Sequence, residues 1–116
     1  MVLPIQITFR DLPRTDAIDQ YVRTRASKLE GLSERITSCH VALEVPHRHA
    51  RHGRHYRVRI DLHVPGGEVV VGGNHDDDGS AGDLYAAIDH AFDLAGRRLQ
   101  DFVRRQRGDV KSHGPS

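Results

Sequence analysis

Four histidines, His47, His49, His52 and His55, are interleaved with Arg48, Arg51 and Arg54 in one short run. Imidazoles so clustered are the ligand type that holds a transition metal. No cysteine pair or regular scaffold fixes their geometry, however, and guanidinium groups between them repel a dication. The run reads as a basic loop that touches a polyanion, its histidines adding charge below about pH 6.5. Asp76, Asp77 and Asp78 before Gly79 lack the alternating ligand positions and distal Glu of a calcium loop. They read as a solvated connector. His40 and His63 fall on the polar faces of strands and could approach each other, but no nucleophile or orienting group accompanies them. Cys39 falls on an apolar face, where a buried, inert thiol is expected. These residues point to no catalysis, no cofactor, no metal and no small-molecule substrate.

The remaining chemistry is charge. Seventeen Lys and Arg against sixteen Asp and Glu leave a net charge of +1, and only Lys28 and Lys111 are lysines. The total hides opposed blocks. His47 to Arg59 holds five arginines and no acid, Asp76 to Asp89 five acids and no Lys or Arg, and Arg97 to Lys111 six cations against two acids. Separate positive and negative faces follow.

Period-2 and period-3.6 patterns give the elements that must carry these groups. Leu3, Ile5, Ile7 and Phe9 alternate with polar residues as a half-buried strand. Thr15 reads as a helix N-cap, with Asp16 and Asp19 in the first turn and Ile18, Tyr21, Val22, Leu29 and Leu32 along the apolar stripe to Gly31. Strands follow over Ser38–Val45 and Tyr56–Val64; Pro65-Gly66-Gly67 turns the chain into a partner strand, Glu68–Val71. A long helix runs from Asp83 to about Arg107, with Leu84, Ala87, Ile88, Ala91, Phe92, Ala95, Leu99 and Phe102 on one face and Gly96 as a weak point. Tyr21 and Tyr85 are expected in the core.

The order β-α-β-β-β-α predicts an α+β two-layer sandwich: a four-stranded mixed sheet with two helices on one face. One domain is expected over residues 1–107 and a flexible tail over 108–116. Spacing along the last helix lines up Arg97, Arg104 and Arg107 in one row and Arg98 and Arg105 in a second. Arg23, Arg25 and Lys28 are the cations of the first helix.

The 116 residues are the size of one domain, and no run approaches the ~20 apolar residues of a membrane span. The N-terminus has no basic segment and cleavage site of a secretory signal. The single Cys excludes an intrachain disulfide, and a reducing cytoplasm is expected.

Val64-Pro65-Gly66-Gly67-Glu68 and Asp83-Leu84-Tyr85-Ala86-Ala87-Ile88-Asp89 resemble the most distinctive pieces of the bacterial ribosome hibernation-promoting factors. These proteins are also called ribosome-associated inhibitor or sigma-54 modulation proteins. Lys28-Leu29-Glu30 and Arg35-Ile36-Thr37 fit as well, so the resemblance spans roughly residues 4–107. It implies a non-enzymatic protein that binds the small ribosomal subunit in the channel of messenger and transfer RNA, and that inhibits translation or promotes hibernation under stress or in stationary phase. Ribosomal RNA phosphates would then be met by Arg23, Arg25 and Lys28 of the first helix and by Arg97, Arg98, Arg104, Arg105 and Arg107 of the last, with Arg48, Arg51 and Arg54 as an accessory basic loop. The chain departs from lysine-rich members at Leu94, Gln100, Asp101 and Val103. That departure motivates an alternative: a general RNA- or protein-interaction module of the same fold without ribosomal specificity. The loop at Pro46-His47-Arg48-His49 and the segment from Arg107 to His113 are similar to a branch whose chains continue into a cold-shock-like domain.

Overall fold

Alternating apolar residues place four strands, β1 (Ile5–Arg10), β2 (Ser38–Glu44), β3 (Arg57–Val64) and β4 (Gly67–Val71), in one sheet of order β1-β2-β3-β4. The computed structural model describes residues 4–32, 35–45, 56–72 and 83–113, with side chains of the last helix described as far as Gln106. β1 lies parallel to β2, with Ile7 opposite Val41; β2–β3 and β3–β4 are antiparallel, with Val41 opposite Ile60 and Leu62 opposite Val69. The crossover joining the parallel pair is α1 (Asp16–Glu30), and α2 (Leu84–His113) follows the meander. This is the expected mixed α+β sandwich.

Local chemistry sets the ends of the elements. The Thr15 hydroxyl accepts from the Ile18 N–H at 3.2 Å, a cap worth about 1 kcal/mol. Between β3 and β4, Pro65 and Gly66 form a two-residue turn in which Gly66 takes φ 94°, the pattern of a type II turn. Gly67 lies close under α2: a β-carbon there would stand 3.1 Å from the Phe102 ring, which would have to give by a few tenths of an ångström.

Both helices press one stripe onto one sheet face. Ile18, Val22, Ala26 and Leu29 of α1, and Ala87, Ile88, Ala91, Phe92, Ala95 and Leu99 of α2, share a single core with Val41, Leu43, Val58, Ile60, Leu62 and Val71. Removing a side chain such as fully buried Leu99 or Ile60 would cost about 2–5 kcal/mol. α1 packs against β1 and α2, and α2 lies over β3 and β4. Among the described residues the opposite sheet face bears no helix, and Gln6, Thr8, His40, Arg57, Arg59 and His63 there are exposed or half-buried.

The last helix corrects one boundary. It does not end at Arg107 but continues to His113. Gly108 weakens a helix by about 1 kcal/mol without removing a donor, so it does not stop one. The first true breaker is Pro115, which disfavours helical backbone at the residue before it.

Candidate nucleic-acid interface

The two helices lie side by side on the sheet, and a groove of about 340 Å³ runs between them. Lys28, Leu29 and Leu32 line it from the α1 side; Gly96, Arg97 and Gln100 line it from α2. Lys28, Arg97 and Arg105 are exposed and make no ion pair among the described residues. Arg104, one heptad beyond Arg97, is 77% exposed and sits 3.5 Å from Asp101. Arg97 and Arg104 thus continue in one row from the groove along α2, as their spacing requires.

Toward the start of α2 the groove changes sign. Arg25 is only 22% exposed; its Nη2 donates to Asp93 Oδ1 at 2.9 Å and to the Asp89 carbonyl at 3.3 Å, while its Nε lies 3.5 Å from Asp89 Oδ1. That Nε is buried without a hydrogen-bond acceptor, held there by the pairing of Nη2. Its guanidinium also stands 5.8 Å from the Phe92 ring centroid. Asp89 accepts the Tyr21 hydroxyl at 2.6 Å, which raises the Tyr21 phenol above its ordinary value because only the neutral phenol can donate that hydrogen bond. Arg23 pairs with Asp19 at 2.6 Å.

The expected cations therefore divide. Lys28, Arg97, Arg104 and Arg105 face solvent on or near the helix layer. Arg23 is exposed but paired within its own helix. Arg25 ties α1 to α2. Arg98 donates to the Val70 carbonyl at 3.0 Å, clasping the free edge of β4, so the second row divides between an edge clasp and exposed Arg105. Arg14, singled out by no motif, does the same at the other edge, donating to the Ile7 carbonyl at 3.0 Å and stacking 4.7 Å from Phe9. The Arg107 side chain and the loop arginines Arg48, Arg51 and Arg54 lie outside the described residues.

His40 and His63 do not meet: His40 stands opposite Asp61 and bonds Thr8 at 3.0 Å, whereas His63 lies 3.8 Å from Glu68. Tyr85, expected in the core, is 39% exposed with its ring edge-on to Tyr21 at 4.9 Å. Cys39 is buried, and desolvation pushes its thiol up to about 12. Arg57 and Arg59 project from the helix-free sheet face, opposite the helix cations, where Arg59 pairs with Asp61 at 3.3 Å. Among the described residues no group of His, Cys, Asp or Glu could hold a metal ion, and no helix is long and apolar enough to cross a membrane.

Residues 5–107 match the family described as sigma 54 modulation protein / S30EA ribosomal protein. The chain belongs to this family. It is 35% identical over 101 residues to the ribosome hibernation promotion factor of Deinococcus radiodurans, covering 86% of this chain and 49% of that protein. It is 32% identical over 117 residues to the ribosome hibernation promoting factor of Azotobacter vinelandii, covering 97% and 98%. The chain thus spans about half of the first relative and nearly all of the second. The N-terminal domain of Thermus thermophilus Protein Y superposes with a TM-score of 0.67 at 30% identity, over 88% of this chain and 99% of that one. A ribosomal subunit interface protein from Coxiella burnetii shares the fold, with a TM-score of 0.65 at 13% identity, over 91% and 99%.

The Val64–Glu68 turn and the start of α2 have physical causes. Pro65, Gly66 and Gly67 let the β3–β4 turn dock on α2, where Gln106 Nε2 donates to the Pro65 carbonyl at 3.1 Å. Asp83 accepts the Tyr85 N–H at 3.0 Å at the opening of α2.

Proposed function

We propose that the protein is a ribosome-associated hibernation factor that binds the small subunit in the messenger and transfer RNA channel and blocks translation by occupancy. The observation that carries this is a set of exposed cations, Lys28, Arg97 and Arg105, that make no ion pair among the described residues and lie on the helix layer of this family's fold. Fixed helices present them to phosphates, with Arg suited to forked contacts. Arg104 joins the same surface; Arg23, held by Asp19, is a weaker contributor. Arg25 and Arg98 act structurally and support the surface from behind. The role is non-enzymatic, uses no cofactor, and belongs to the cytoplasm.

Co-sedimentation with small subunits, large subunits and whole ribosomes, at low and physiological salt, tests it. Stoichiometric, salt-sensitive binding to the small subunit is expected. Equal binding to small subunits and to arbitrary structured RNA would favour the general RNA-module reading instead. Leu94 and Val103, which pack against the core and add no charge to this helix, give that reading its weight.

A further inference from the structure

Gly96 stands in the middle of α2, facing α1, and the fold does not require it. A β-carbon there would meet only Leu32 Cδ1 at 3.4 Å and Leu29 Cδ2 at 3.7 Å, ordinary van der Waals contacts. Alanine would fit and would favour the helix by about fivefold in local equilibrium. What the missing side chain keeps open is the groove between the helices. Its wall is Leu32, an apolar side chain left 44% exposed beyond the end of α1. Its rim carries Lys28 on one side and Arg97 with Gln100 on the other, and the Arg25–Asp93 pair, already neutralised, closes the end toward the start of α2.

An apolar slot with a cation on each lip matches an unpaired nucleotide: a flat base that leaves water and a phosphate on each flank. At about 340 Å³ the groove lies at the small end of ligand clefts, which span ~300–1,000 Å³. It suits one base rather than a duplex. We infer that this groove receives a single unstacked RNA base against Leu32 over Gly96, with Lys28 and Arg97 on the adjoining phosphates. The inference rests on the ribosomal reading for the source of that RNA. It adds that binding is more than charge: one contact is apolar and specific to an unpaired nucleotide.

Gly96→Met tests it, because a flexible unbranched side chain fills the slot and favours the helix. The variant should melt no lower than wild type. It should bind small subunits about tenfold more weakly with an unchanged salt slope, since no phosphate contact is lost. Leu32→Ala, at an exposed position, should weaken binding in the same salt-independent way. A single-stranded oligoribonucleotide carrying one 2-aminopurine should change fluorescence with wild type and not with Gly96→Met. Unaltered subunit binding by both variants, with no fluorescence response to wild type, would overturn the inference and leave the ribosomal reading standing. Weakened subunit binding without any fluorescence response would overturn it too, assigning the groove to a protein side chain. Failure of wild type to sediment would end the ribosomal reading, and the oligonucleotide would then decide the groove alone.

Discussion

Arg25 and Asp93 form a 2.9 Å ion pair that joins the middle of α1 to the first half of α2. Together with Asp89 it occupies Arg25 within the protein. Arg25→Ala should therefore act mainly on stability, costing about 1–2 kcal/mol for a half-buried charged hydrogen-bond cluster. Urea unfolding should show a lower midpoint with unchanged slope. Binding of the folded variant to small subunits should fall less than for Arg97→Ala; the opposite ranking would return Arg25 to the interface.

Arg97, Arg104 and Arg105 should behave in the reverse manner. The triple change to Glu should abolish co-sedimentation while the far-ultraviolet spectrum and melting curve stay near wild type, because none of the three is buried. Arg97→Ala alone should lower the slope of log K against log salt by about 1. Retained binding by the triple variant would remove this surface from the interface.

Gly72 closes β4 at φ 82°, and a β-carbon there would stand 2.1 Å from the Val58 carbonyl oxygen. Gly72→Ala should destabilise by about 3 kcal/mol through left-handed strain and displacement of β3. At Gly31, where φ is −70°, alanine should change stability by less than about 1 kcal/mol. Thermal unfolding of the pair separates conformational need from mere sequence pattern.

Cys39, with its thiol near 12, should resist thiol reagents at about pH 8 until the chain unfolds. Labelling should follow the unfolding rate and become fast in urea. Folding favours the neutral thiol, so this contribution to stability is whole below the unfolded thiol's ordinary range and is lost as pH rises toward 12. Rapid labelling of native protein would contradict burial.

Period and punctuation made the architecture legible. The alternation through Val58, Ile60 and Leu62, the Thr15 cap and the stripe from Leu84 to Phe102 all describe local chemistry, which a sequence carries directly. The site was less legible because an arginine's role depends on what lies across space from it. Arg25 meets residues more than sixty positions away, and Arg98 meets Val70 across the sheet edge. Neither partner leaves a mark beside the arginine itself. Leu94 and Val103 read as missing cations, yet both pack against the core. Gly108 misled in the other direction, since a costly residue inside a long helix is not a stop.

α2 is fastened at three levels: to α1 by the Arg25–Asp93 pair, to the β4 edge by Arg98, and to the β3–β4 turn by Gln106. Its row of arginines therefore rides on a backbone whose freedom was already spent in folding. Docking orders side-chain rotamers but no main chain, so little of the contact energy is consumed by entropy. Loosening any one fastening would leave every charge in place and still weaken the complex.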